Sequence, residues 1–185
     1  MRFLAWSVLI LFAFSSGCLF GGNATNTAEQ LSGVRDAYIS AGLLVPVSSS
    51  VREQYRNEIL PFRNTINSIG GNDSAALKAY LNGSLSLLEM ANATDTALNL
   101  LKNVNMDAPD CGKNSPMGKA IVLLEQAQKS AESAHSDFVT VQGNSIMANA
   151  LGADYILNAA QTSDAVAQTH SERIKELKTA CGFSV

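Results

Sequence analysis

Between Ala120 and Val141 small and branched apolar residues recur at intervals of four and three, and this stripe constrains the fold more than any other feature of the chain. Ala120, Leu124, Ala127, Ala131, Ala134, Phe138 and Val141 fall on one side of a 3.6-residue helix. Ser115 followed by Pro116 is a favoured helix start, with a capping hydroxyl and a residue whose missing N–H costs nothing there. An apolar helical stripe must be covered, and its alanines let a second helix approach closely.

Four other segments carry the same period. Thr27 to Leu44 places Leu31, Val34, Tyr38 and Ala41 on one face. Ser49 to Ile69 aligns Val51, Tyr55, Ile59, Phe62, Ile66 and Ile69, with Pro61 predicted to kink or split it. The third opens at Asp73 or Ser74 and reaches about Val104, along Leu77, Leu81, Leu85, Leu88, Ala91, Leu98 and Leu101. Gly83 and the polar run Asn92 to Thr96 are expected to weaken its middle. The fifth runs from Ser145 to Ala180, along Ile146, Ala150, Ala153, Leu157, Ala160, Ala167, His170, Ile174 and Leu177. No strand pattern competes, because Pro46 and three serines spoil the stretch from Val45 to Val51. The expected fold is all-α, an up-and-down bundle of four or five helices.

With 185 residues the chain is long enough for one domain with a real core. Aromatics make up only 6%, which suits close helix packing better than a sheet sandwich. The net charge of −3, with 13 scattered basic residues, argues against nucleic-acid binding, which needs clustered cations to neutralise phosphates.

The amino terminus reads as an export signal. Met1-Arg2 is a short positive start, Phe3 to Phe14 is an apolar run, and Ser15-Ser16-Gly17 supplies small residues before Cys18. The run of about a dozen residues is short of the roughly 20 that span a membrane. Ser15-Ser16-Gly17-Cys18 resembles the lipobox of prokaryotic membrane lipoproteins, although Ser15 stands where that family usually has an apolar residue. The resemblance covers only the first twenty or so residues. It implies lipidation of Cys18 and a membrane anchor. Cleavage after Gly17 without lipid, or retention of Phe3 to Phe20 as an uncleaved anchor, are the alternatives. All three place the rest of the chain outside the cytoplasm. The expected organisation is a signal peptide over 1–17, a lipidated cysteine and flexible tether over 18–27, and one helical domain over 28–185. The Gly, Asn and Thr content of residues 21–27 suits such a tether.

Two further signs fit that address. With Cys18 lipidated, Cys111 and Cys181 remain as an even pair, which an oxidising compartment favours joining. Four Asn-x-Ser/Thr triplets, at Asn23, Asn72, Asn82 and Asn92, are candidate glycosylation sites. Their use would fit an archaeal cell surface.

Candidate chemistry is sparse. Glu132 and His135 are three apart, as in di-iron bundles, but the second Glu-x-x-His pair is missing. Glu132, His135 and His170 are candidate metal ligands, and Asp107 and Asp110 could bind a cation weakly; the plainer readings are an exposed salt-bridged pair for Glu132 and His135 and a hydrogen-bonded core or edge residue for His170. Asn103, Asn105 and Asp107 alternate like the opening of a calcium loop, yet Ala108 and Asn114 stand where glycine and an acid are needed. There is no nucleophile elbow, phosphate loop or haem attachment motif, and no cofactor is implied. The expected role is a binding or structural module on the outer face of the membrane, engaging a surface protein, a polymer or an assembly. Alternatives are a solute receptor using Tyr38, Tyr55, Tyr80 and Tyr155, and a metal-dependent enzyme.

Overall fold

The computed structural model describes residues 24–106 and 108–183. Seven helices follow in order: α1 (Ala24–Tyr38), α2 (Ser49–Ile59), α3 (Phe62–Asn67), α4 (Gly71–Leu101), α5 (Pro116–Gln142), α6 (Ser145–Leu151) and α7 (Ala153–Ala180). No strand occurs among the described residues. The fold is an all-α bundle stapled by a Cys111–Cys181 disulfide, whose Cα atoms lie 5.6 Å apart.

Three long helices form the frame. α5 lies between α4 and α7 and packs along both, running up between two helices that run down. Its whole predicted stripe is buried: Ala120, Ala127, Ala131, Ala134, Phe138 and Val141 are inaccessible, and Leu124 nearly so. Ser115 caps it, accepting from the Gly118 amide at 3.1 Å. At 1.5 Å per residue, the 27 residues of α5 span about 40 Å.

The short helices gather at one end. α1 packs chiefly against α6 and touches α2, α3 and α4. The Ser74 hydroxyl donates to the Ile66 carbonyl at 3.0 Å, tying α3 to α4. Asn144 donates to Asp73 at 2.8 Å, tying the α5–α6 corner to α4.

Several predicted boundaries differ. The first helix stops at Tyr38 rather than Leu44. The second is split, with α3 beginning just after Pro61, because proline lacks an N–H and its ring clashes with the preceding turn. The third is continuous through Gly83 and Asn92. Tertiary packing overrides propensity there: a Cβ at Gly83 would lie 3.1 Å from the Phe138 ring, so the glycine admits α5 at close range.

The largest correction concerns the fifth helix, which breaks at Gly152. That residue has φ of +91°, a conformation open to glycine and costly for others. Ile156, Ala159, Ala160, Ser163, Ala167, His170, Ile174 and Leu177 face inward. Ala160, Ala167, His170, Ile174 and Leu177 are as predicted, whereas Ile146 and Leu157, predicted inside, are 64% and 48% exposed.

Buried side chains form two cores. The larger joins α1, α2, α3 and α6 to the adjoining ends of the long helices, around Tyr55, Tyr80, Phe138 and Leu31. The smaller lies at the far end, where Ala97, Met117, Ile121, Leu124, Ile174 and Leu177 meet next to the disulfide. Between them is a waist of small buried residues, Ala91, Ala93, Ala127, Ala131 and Ala167, with Ser163 and His170.

Candidate functional site

The candidate metal ligands are spread along the bundle and each has another role. His135 Nδ1 lies 2.9 Å from the Ala160 carbonyl. A carbonyl only accepts, so Nδ1 carries the proton and bridges α5 to α7. Glu132 accepts instead from Gln128 on its own helix at 2.9 Å. His170 Nε2 lies 3.0 Å from the Thr94 hydroxyl. That hydroxyl already donates to the Met90 carbonyl at 2.8 Å, so Nε2 is the donor and His170 bridges α7 to α4. Burial lowers the His170 pKa, favouring the neutral ring. Among the described residues no three His, Cys, Asp or Glu side chains come together to hold a metal.

The calcium-like segment closes on itself. Asp110 accepts from the Gly112 amide at 2.9 Å, and the Ser115 hydroxyl donates to the Asp110 carbonyl at 2.6 Å. Asp107 lies outside the described residues, as do Cys18 and Asn23.

The four tyrosines do assemble, at the larger core. Tyr80, Phe138 and Tyr155 stand edge to face or tilted, with ring centres 6.0 to 6.4 Å apart, and Tyr38 leans on Tyr55 at 5.8 Å. The Arg35 guanidinium sits 4.6 Å above the Tyr155 ring. It donates to the Leu151 carbonyl and, at 2.8 Å, to the Ser32 hydroxyl, and it pairs with Asp36. Arg35 thus fastens α1 to the end of α6. A Cβ on Gly152 would lie 3.1 Å from its Nη1, a second reason for glycine there. Periodicity alone gives no hint of this buried arginine, which stands beside the predicted α1 stripe.

Burial pushes the Tyr55, Tyr80 and Tyr155 phenols above their ordinary value, keeping them neutral. The hydroxyls of Tyr55, Tyr80 and Ser84 approach one another inside the core, but outside good hydrogen-bond geometry. They constitute packed interior rather than an open ligand chamber.

A more spacious concavity lies elsewhere. A groove of about 800 Å³ opens between the start of α2 and the second half of α4, lined by Val47, Arg52, Asn92, Asp95, Leu98 and Lys102, among others. Arg52, 5% exposed, pairs with Asp95. Its Nε and the Asn92 Oδ1 are buried without partners. The groove offers polar contacts and two exposed apolar side chains, Val47 and Leu98. It holds no nucleophile paired with a base.

The sequons at Asn72, Asn82 and Asn92 all fall within α4. Their hydroxyls turn inward: Ser74 bonds the Ile66 carbonyl, Ser84 is 1% exposed, and Thr94 is held between Met90 and His170. Glycan addition at these sites would have to precede folding.

Compared with known protein families, with curated proteins and with solved structures, the chain matches none.

Proposed function

We propose that the chain is an extracytoplasmic binding or structural module, held at the outer face of the membrane through a lipid on Cys18. The observation that carries this reading is the Cys111–Cys181 disulfide, since such bonds persist in oxidising compartments and are rare in the cytosol. The signal-like start and the lipobox-like Ser15-Ser16-Gly17-Cys18 support the same address. No helix among the described residues is long and apolar enough to cross a membrane, and in this reading the amino-terminal segment carries the attachment. The described side chains offer packing and hydrogen bonding rather than a reactive constellation, which favours recognition over catalysis.

The test is the intact mass of protein purified from its native membrane, before and after reduction. A chain beginning at Cys18 with added lipid mass, gaining two protons on reduction, is the expected result. A full-length, unmodified chain with three free thiols would sink the reading.

The α2–α4 groove favours a second reading, a receptor for a small polar solute. A ligand bound only by the folded state raises the thermal midpoint. A solute series that leaves the midpoint unmoved would remove this alternative.

A further inference from the structure

The two ends of the bundle differ in charge as well as in core. Phe138 to Ala153, which form the end of α5, all of α6 and the start of α7, contain no charged residue. Asn64 to Asn72, covering most of α3 and the start of α4, contain none either. Ala24 to Val34 contribute only Glu29. These segments meet at the larger-core end, where charge is otherwise confined to their flanks, at Arg35, Asp36, Arg63, Asp73, Asp137 and Asp154, and where Val139 and Ile146 are 45% and 64% exposed. The opposite end carries Lys102, Asp110, Lys113, Glu176 and Lys178 around the disulfide. Weakly charged surface with exposed aliphatic side chains suits the headgroup boundary of a bilayer, while clustered charge favours water.

The path of the chain is a separate observation. Ala24, the first described residue, is packed into the larger core, as are Ala28 and Leu31 of the same helix. Six residue steps separate it from Cys18, at most about 22 Å when fully extended. The disulfide end stands about 40 Å away along α5.

We infer that the larger-core end rests on the lipid surface, with Val139 and Ile146 against the headgroups, and that the disulfide end is presented outward. This rests on the anchored reading above and adds the orientation.

Neutron reflectometry of the full-length protein, purified with its native amino terminus and captured in a zwitterionic phospholipid bilayer, tests it. The expected profile is a protein layer of about 40 Å or more beginning at the headgroups. A layer of about 20 Å, the thickness of two helices on their side, would overturn the orientation and leave the anchor standing. A full-thickness layer behind a water gap would overturn the lipid contact. Protein that washes off the bilayer would overturn the anchor and the orientation together. Paired substitutions separate surface effects from folding, since all four side chains are exposed. Val139→Glu with Ile146→Glu should open a gap or tilt the layer. Met106→Glu with Phe183→Glu at the other end should leave the profile unchanged. The reverse pattern would overturn the inference.

Discussion

The two ends of the bundle reach stability by different means. At the larger end, four short helices close over the long ones, and aromatic rings and long aliphatics fill the interior. At the far end the core is built by α4, α5 and α7 alone, with Ala97, Ala120 and a few larger side chains between them, and the start of α2 lies beside α4 through the Arg52–Asp95 pair. So narrow a core buries little apolar surface, and a covalent link supplements it there. The Lys178–Glu125 ion pair at 2.8 Å crosses the same end, but a half-exposed pair adds little. Bulk holds one end, and a staple holds the other.

The strongest way to break this contrast is to hollow the large core. Phe138→Ala should cost about 3–5 kcal/mol, as for other buried aromatics, read as a lowered denaturation midpoint of the whole chain. Removing the staple by Cys111→Ser with Cys181→Ser should cost less, about 2–4 kcal/mol for a loop of this length. Its effect should also be local: amide exchange should accelerate around residues 102–117 and 177–183 while the larger core stays protected. Equal acceleration at both ends would show that the cores are not separable. Gly118→Ala sharpens the point further. A Cβ there would lie 2.4 Å from the Gly112 carbonyl oxygen. The change should therefore cost about 1–3 kcal/mol, where an alanine in an ordinary helix would stabilise.

The smallest expected effect concerns pH. Burial raises the Asp137 carboxyl from 3.8 to about 6. The folded chain therefore holds that proton more tightly than the unfolded one. Its contribution is fully present below 3.8 and is lost as pH rises through about 6. At a half-exposed site this amounts to about 1 kcal/mol or less after solvent screening. His170 acts in the opposite sense. Its pKa is lowered by burial, so its contribution is present above 6.5 and is lost as pH falls below that value. Thermal midpoints across this range should rise with acidification in His170→Gln and fall in Asp137→Asn. Parallel profiles for the two variants would refute both assignments.

The middle of the fold was legible in the sequence, and the corners were not. The α5 stripe and its Ser115-Pro116 start needed no tertiary information, because a long periodic helix with a strong cap leaves no competing arrangement. The disulfide followed from the parity of the cysteines. Gly152 was missed because one glycine inside a periodic segment is normally tolerated. Its φ of +91°, beside Arg35 of another helix, makes a corner that periodicity does not encode, and Ile156 rather than the expected Leu157 faces inward, while the stripe from Ala160 onward is as expected. His170 is the hydrogen-bonded, buried residue that its place on the stripe suggests, but the partners of the two histidines, a backbone carbonyl and a threonine 25 and 76 positions away, are not legible. No local pattern encodes such pairings.

The link between Arg35 and Leu151 joins residues 116 positions apart. As the chain emerges, α1 can meet α2, α3 and α4 early, but its main dock, α6, is complete only when Leu151 has been made. The α4–α5 hairpin can close much sooner, since its connection of 14 residues, 102–115, costs far less loop entropy than a span of 116. Closure should thus proceed from the stapled end towards the amino terminus. Helix α1 would be among the last to find its full set of partners.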